Sequence, residues 1–115
     1  MTAGMGSKVV LAAGATLLLA AVPAGAQDVA AGRRVAVQVC QACHGLDGIA
    51  KLPEAPNLAA QDAAYLTRQL LAYKSGERRN EQMTVVTEGL TPAQIADVAA
   101  YYNAIEIDVV KLPGR

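Results

Sequence analysis

Apolar residues crowd the chain once, from Val9 to Val22, and afterwards recur only at spaced intervals. The crowded stretch is 14 residues long, follows the single Lys8, and runs into Pro23-Ala24-Gly25-Ala26. A helix that crosses a bilayer needs roughly 20 apolar residues. The segment therefore reads as a secretory leader cut after Ala26, where small residues occupy the positions that a signal peptidase inspects, and not as an anchor. No Cys follows the run to carry a lipid. Two parts result: a leader, residues 1–26, and one domain, residues 27–115, that works outside the cytoplasm.

Beyond the leader the spacing is helical. Asp28 is placed to cap a first helix over Val29 to about Gln41, with Val29, Ala36, Val39 and Cys43 near one stripe and Arg33 and Arg34 turned outward. From Gly45 to Leu58 two Gly, two Pro and no sustained period predict a loop folded over something, since a loop of this length needs support in so small a domain. Asp62 opens a second helix with Tyr65, Leu66, Gln69, Leu70 and Tyr73 on a shared face, and Ser75-Gly76 stops it. A short third helix covers about Glu81 to Glu88. Thr91, Pro92 and Gln94 have the spacing of a capping box with proline at the first helical position, so a fourth helix runs through Ile95, Val98, Ala99 and Tyr102 to about Ile105. No strand period or repeat appears, and the predicted class is all-α.

Composition sharpens this picture. Of the first 26 residues 17 are apolar, against 44 of the remaining 89, so the overall 53% overstates the core. The domain has nine basic and ten acidic side chains, a net charge of −1, which argues against binding nucleic acid by charge. Its aromatic residues are four tyrosines, Tyr65, Tyr73, Tyr101 and Tyr102, with no Trp and no Phe. Domains this small usually need a staple. The two cysteines, three residues apart, would close only a tiny disulfide loop, so a large apolar cofactor is the better filling.

Both cysteines and the one histidine lie within Cys40-Gln41-Ala42-Cys43-His44. This C-x-x-C-H pattern is the covalent attachment signature of c-type haem. Two thiols three residues apart on a helical turn can reach the two vinyl groups on one side of a porphyrin, and the adjacent imidazole then projects beneath the iron. Its second ring nitrogen needs a carbonyl partner to fix the ring plane. Three plainer readings compete. A thioredoxin-like dithiol belongs beside a βαβ pattern, which is absent; a structural zinc site wants four ligands, which this chain supplies poorly; a simple disulfide stays open.

With Cys40-Gln41-Ala42-Cys43-His44-Gly45 come Pro56-Asn57-Leu58-Ala59-Ala60-Gln61, Tyr65-Leu66, Gln69-Leu70, Lys74-Ser75-Gly76-Glu77-Arg78, Met83 and Ala99-Ala100-Tyr101-Tyr102. Together these resemble a class I c-type cytochrome of the small bacterial periplasmic group, the c-five-five-three and c-four kind. The resemblance covers nearly all of residues 27–103 and implies about four short helices and long loops around one covalently bound haem c. It departs at Ala60, where relatives usually have Gly, and the chain is expected to turn slightly differently there. Met83 is the only methionine of the domain and lies 39 residues after His44. With no second His present, its thioether is the expected sixth ligand, and His/Met ligation raises the reduction potential. Pro56 matches the family proline whose carbonyl accepts the His44 ring proton. Arg78, at a position often Arg in the group, and its neighbour Arg79 are candidates to neutralise haem propionates. Gly32 and Tyr101 resemble the pair where the first and last helices cross, and Tyr65 and Tyr73 are expected as core against the haem edge.

Six ligands leave no open coordination position and no other catalytic constellation is visible. The expected function is thus a periplasmic, monomeric electron carrier and not an enzyme, without stable membrane insertion after leader removal. Its redox partners are expected to dock transiently at the haem edge near Gln41-Ala42 and the Met83 side. The alternatives are a haem c subunit of a periplasmic dehydrogenase, to which the apolar tail Ile107 to Leu112 points, and a sensor of nitric oxide or carbon monoxide.

Overall fold

The computed structural model describes residues 27–114 together with positions 1, 2, 4, 6 and 14. The cleavage site at Ala26 and the run Val9 to Val22, but for Gly14, lie outside the described residues. Helices α1 (Val29–Val35), α2 (Gln41–His44), α3 (Ala63–Ser75), α4 (Glu81–Glu88) and α5 (Pro92–Asn103) form the domain, with a π-helical turn, Ala36–Cys40, joining α1 to α2. The first three pieces make one helical run, so the molecule has four helical rods, and no strand occurs among the described residues.

The first rod starts where the Asp28 carboxylate accepts from the Ala31 N–H at 3.0 Å, and it continues three residues past the expected Gln41. Gly45, at φ 74°, ends it directly after His44. The expected apolar stripe is corrected: Gly32, Val35 and Ala36 are the buried positions, whereas Val29 and Val39 are 44% and 42% exposed. In the π turn the Gln41 N–H reaches back five residues to the Ala36 carbonyl. The extra residue rotates everything after it by about 100° relative to a regular helix. Val39 thereby leaves the core face and Cys40 packs against it.

The remaining rods obey their end signals. Asp62 caps α3 through the Tyr65 N–H at 2.7 Å, and Gly76 takes the left-handed conformation at φ 81°. Asn80 caps α4 through the Met83 N–H at 3.0 Å. At the other end of α4 the Lys74 ammonium donates to the carbonyls of Thr87 and Glu88, which a helix otherwise leaves bare. Thr91 and Gln94 complete the capping box of α5. That helix stops at Asn103, two residues before the expected Ile105, where the Ala60 N–H takes the Tyr102 carbonyl at 2.9 Å and the Asn103 side chain donates to the Gln61 carbonyl.

The core lies between the first and last rods. Val35, Ala36, Leu66, Leu90, Ile95, Val98, Ala99 and Tyr102 are buried together, with Leu66 brought by α3. Close approach of α1 and α5 requires Gly32, because a Cβ there would overlap the Asp97 carbonyl and the Tyr101 Cβ. The Asp28 N–H adds a bond to the Asp97 carboxylate at 2.9 Å. No helix among the described residues is long and apolar enough to cross a membrane.

Candidate functional site

The cysteine pair sits where the helix changes type. Cys40 closes the π turn, and Cys43 and His44 occupy the single α-helical turn that follows. The widened turn leaves the Val37 carbonyl for the Gln41 side-chain amide, which donates to it at 2.8 Å. Gln41 thus supports the geometry that carries Cys40, a role its place between the motif residues did not reveal. Both cysteines are free thiols. Burial, with Cys43 alongside, pushes the Cys40 thiol up to about 11. A redox dithiol is favoured by a depressed thiol pKa, the opposite direction from that at Cys40. Among the described residues no three His, Cys, Asp or Glu side chains gather into one cluster.

His44 is buried, at 8% exposure. Its Nδ1 lies 2.9 Å from the Pro56 carbonyl oxygen. A carbonyl can only accept, so Nδ1 carries the proton and Nε2 keeps its lone pair. The donor set fits a haem: two free thiols one turn apart and an imidazole whose iron-binding nitrogen is left open by the bond at the other.

The loop after the motif is built to bring Pro56 to this ring. Gly45 has no room for a Cβ, since Asp47 Oδ1, the Ile49 carbonyl and the Lys51 side chain surround the place it would take. The Lys51 N–H returns to the Cys43 carbonyl at 2.8 Å, and the Asn57 side chain accepts from the Ala50 N–H at 2.7 Å. The Gly48 carbonyl receives the N–H groups of both Leu58 and Ala59, at 2.7 and 3.1 Å. Backbone hydrogen bonds that a regular element would supply are met inside the loop, as chain this close to a core demands. Two hydroxyls from α5 fasten its first residues: Tyr101 donates to the Leu46 carbonyl at 2.7 Å and Tyr102 to the Gly45 carbonyl at 3.0 Å. The sequence places Tyr101 at the helix crossing and Tyr102 along the last helix, and neither bond follows from that. A tyrosine at a core position of so Phe-poor a chain is the signal that was available, because a buried hydroxyl needs a partner.

The other expected site residues are placed on or beside the second half of the fold. Met83 lies in the first turn of α4, half-buried, with its N–H held by Asn80. Arg78 is exposed between α3 and α4, donates to Gln69 Oε1 at 2.7 Å, and lies 4.6 Å from the centre of the Tyr73 ring. Arg79 is exposed. Tyr65 is 40% exposed and Tyr73 half-buried. Ala60, where the chain is expected to turn differently, takes φ 58°, the one positive φ outside glycine among the described residues.

The cytochrome c family model matches residues 29–105. The chain is 43% identical over 84 residues to cytochrome c-554(548) of Halomonas halodenitrificans, covering 70% of this chain and all of that one. It is 39% identical over 94 residues to cytochrome c4 of Pseudomonas aeruginosa, covering 82% of this chain and 46% of that protein. Among solved structures, a cytochrome c4 of Acidithiobacillus ferrooxidans superposes with a TM-score of 0.63 at 31% identity, over 70% of this chain and 52% of that one. The chain therefore spans the whole of one relative and about half the length of the cytochrome c4 relatives. Four helical rods around an attachment motif, and these likenesses along the same residues, make this chain a member of the cytochrome c family, whose function is electron transfer on a covalently bound haem c.

Proposed function

We propose that this protein is an exported, periplasmic carrier of single electrons, with one haem c bonded to Cys40 and Cys43 and its iron held by His44 and Met83. The observation that carries the reading is the 2.9 Å contact between His44 Nδ1 and the Pro56 carbonyl. It selects the tautomer that presents Nε2 as a ligand and fixes the ring plane. When bound, haem supplies a one-electron ferrous/ferric couple. Cys40 and Cys43 would hold the group through thioether bonds, each thiol adding its sulfur and hydrogen across one vinyl group, so no oxidant would be needed. Buried and hydrogen-bonded, His44 keeps one orientation in both oxidation states, so little rearrangement accompanies each transfer. Met83 completes the set as the only thioether of residues 27–115, and a soft sulfur favours the reduced iron. With His44 and Met83 as its two protein ligands, the iron would keep no position for a substrate. Partners dock transiently at the edge near Gln41 and Ala42, and the net charge of −1 makes electrostatic steering weak.

Export with a haem-attachment pathway, followed by intact-mass analysis and N-terminal mapping, tests this. One haem added to a chain that begins at Gln27 is the expected result. A bare polypeptide that folds cooperatively overturns the haem assignment, and retention of Lys8 or of the Val9 to Val22 run overturns the leader.

One observation favours a second reading, a fixed haem subunit of a periplasmic dehydrogenase. Past residue 105, where the family match ends, Ile107, Val109, Val110 and Leu112 are 62%, 69%, 94% and 50% exposed. Co-purification with a catalytic partner through a high-salt wash decides for the subunit, and elution as a single chain decides for the free carrier.

A further inference from the structure

A ligating imidazole is oriented by its ring partner and also by the backbone that carries it. At His44 the second of these is shared between local bonds, the Gly45 N–H on the Gln41 carbonyl at 3.0 Å and the Gly48 N–H on the Gly45 carbonyl at 3.2 Å, and residues far along the chain. Gly45, which follows directly, is glycine for want of space and because φ is 74°. Glycine resists rotation least of all residues, so a tether from outside the loop adds to what these two local bonds hold. We propose that Tyr102, seconded by Tyr101, is a positioning residue that sets the plane of the His44 imidazole by pinning the Gly45 and Leu46 carbonyls. The inference rests on the reading of His44 as an axial ligand.

The placement of the two hydroxyls supports it. Tyr102 is 2% exposed and belongs to the buried cluster of α5, the rod that packs against both α1 and α3. Phe would fill the same space, so the hydroxyl is not there for packing; it donates to the carbonyl next to His44 at 3.0 Å and lies beside the Cys40 thiol as well. The neighbouring Tyr101 takes the following carbonyl at 2.7 Å. Their rings stand edge to face with centres 5.2 Å apart, which couples the two tethers into one rigid unit. The Pro56 carbonyl then meets a ring whose Cα is already held, and the two constraints together leave one orientation.

Proton NMR of the haem-loaded protein tests the inference, and the single histidine of the chain makes a ¹⁵N-histidine label unambiguous. Two quantities are read: the spread of haem methyl shifts in the ferric form, which follows the axial ring plane, and solvent exchange of the His44 Nδ1 proton in the ferrous form. Tyr102→Phe is expected to change the methyl pattern and speed the exchange about tenfold, the ratio that corresponds to one ordinary hydrogen bond. Val98→Ala, on the same helix and equally buried, is expected to lower stability and alter neither. A Tyr102→Phe protein with wild-type methyl shifts and wild-type exchange overturns the proposal. Should Tyr102→Phe not accumulate with haem, Tyr101→Phe decides: a smaller change in the same sense upholds the tether, and an unchanged spectrum refutes it. Were His44 not the ligand, the unaltered protein itself would lack hyperfine-shifted histidine signals, an outcome separate from any effect of the tyrosines.

Discussion

His44 has two ring nitrogens, and the Pro56 carbonyl accounts for one of them. That single contact gives the ring a defined tautomer and direction, and under the proposed function His44 and Met83 are the two residues that would hold the iron. Met83→Ala should leave the haem attached, because Cys40, Cys43 and His44 are untouched, while water or an added ligand takes the vacated position. The ferric spectrum is expected to lose its low-spin form and the reduction potential to fall. A side chain that merely packed would cost about 2 to 5 kcal/mol on truncation and leave spectrum and potential unchanged, so the two measurements together separate the roles. Ala60 carries a different kind of demand. An L-residue in the left-handed region costs about 1 to 2 kcal/mol, against which glycine's extra freedom in the unfolded chain sets about 0.5 to 1 kcal/mol. The first term is larger, so Ala60→Gly is expected to raise stability by about 0.5 to 1 kcal/mol in a denaturant titration of the haem-loaded protein. The turn that Ala60 makes keeps its N–H on the Tyr102 carbonyl, and glycine preserves that bond.

Among the elements, the contact between α1 and α5 governs the site, because α1 delivers the motif and α5 delivers the tyrosines that fasten the loop behind it. Its closeness depends on Gly32. Gly32→Ala would gain nearly 1 kcal/mol of helix propensity, yet the added carbon meets backbone, which cannot move aside as a side chain tip can. Overpacking of this sort costs about 1 to 3 kcal/mol or more, and a net loss of about 2 kcal/mol is expected by thermal melting. Gly89→Ala is the control, since a Cβ there meets only the Val86 carbonyl at 3.8 Å, and its melting point should stay close to wild type. The π turn belongs to this scale too. It rotates the chain between Val35 and Cys40 so that one rod can both pack on α5 and aim the cysteines and His44 at the cofactor.

Across the domain the core is small: among the described residues the largest fully buried side chains are Tyr102, Ile95, Val98 and Thr87. Domains under about 90 residues with so little apolar bulk are marginal by themselves. The Cys40→Ser, Cys43→Ser double variant, unable to bond haem, is therefore expected to lose cooperative unfolding by circular dichroism at 25 °C. A sharp transition near the wild-type midpoint would mean that the polypeptide holds its fold without the group.

Most of the outline was readable from residue order, for local reasons. Helix ends are written in side chains that bond their own neighbours, so Asp28, Asp62, Gly76, Thr91, Pro92 and Gln94 announced α1, α3 and α5 within a few residues, and the spacing of Cys40, Cys43 and His44 announced their chemistry. What depends on residues far apart was not readable. Ala36 lies on the expected face, but Val39 was misplaced because the π turn over Ala36–Cys40, which has no sequence mark of its own, shifts the residues after it, and Val29 sits exposed at the start of the rod. The end of α5 was set by Ala60 and Gln61, more than forty positions away, and the hydroxyls of Tyr101 and Tyr102 found partners across a separation of 55 and 57 residues. A periodicity reports which side of a helix is apolar on average; which carbonyl a buried hydroxyl meets is decided only when two helices and a loop have come together, since a hydrogen bond of 3 Å is set by tertiary distance and not by chain distance.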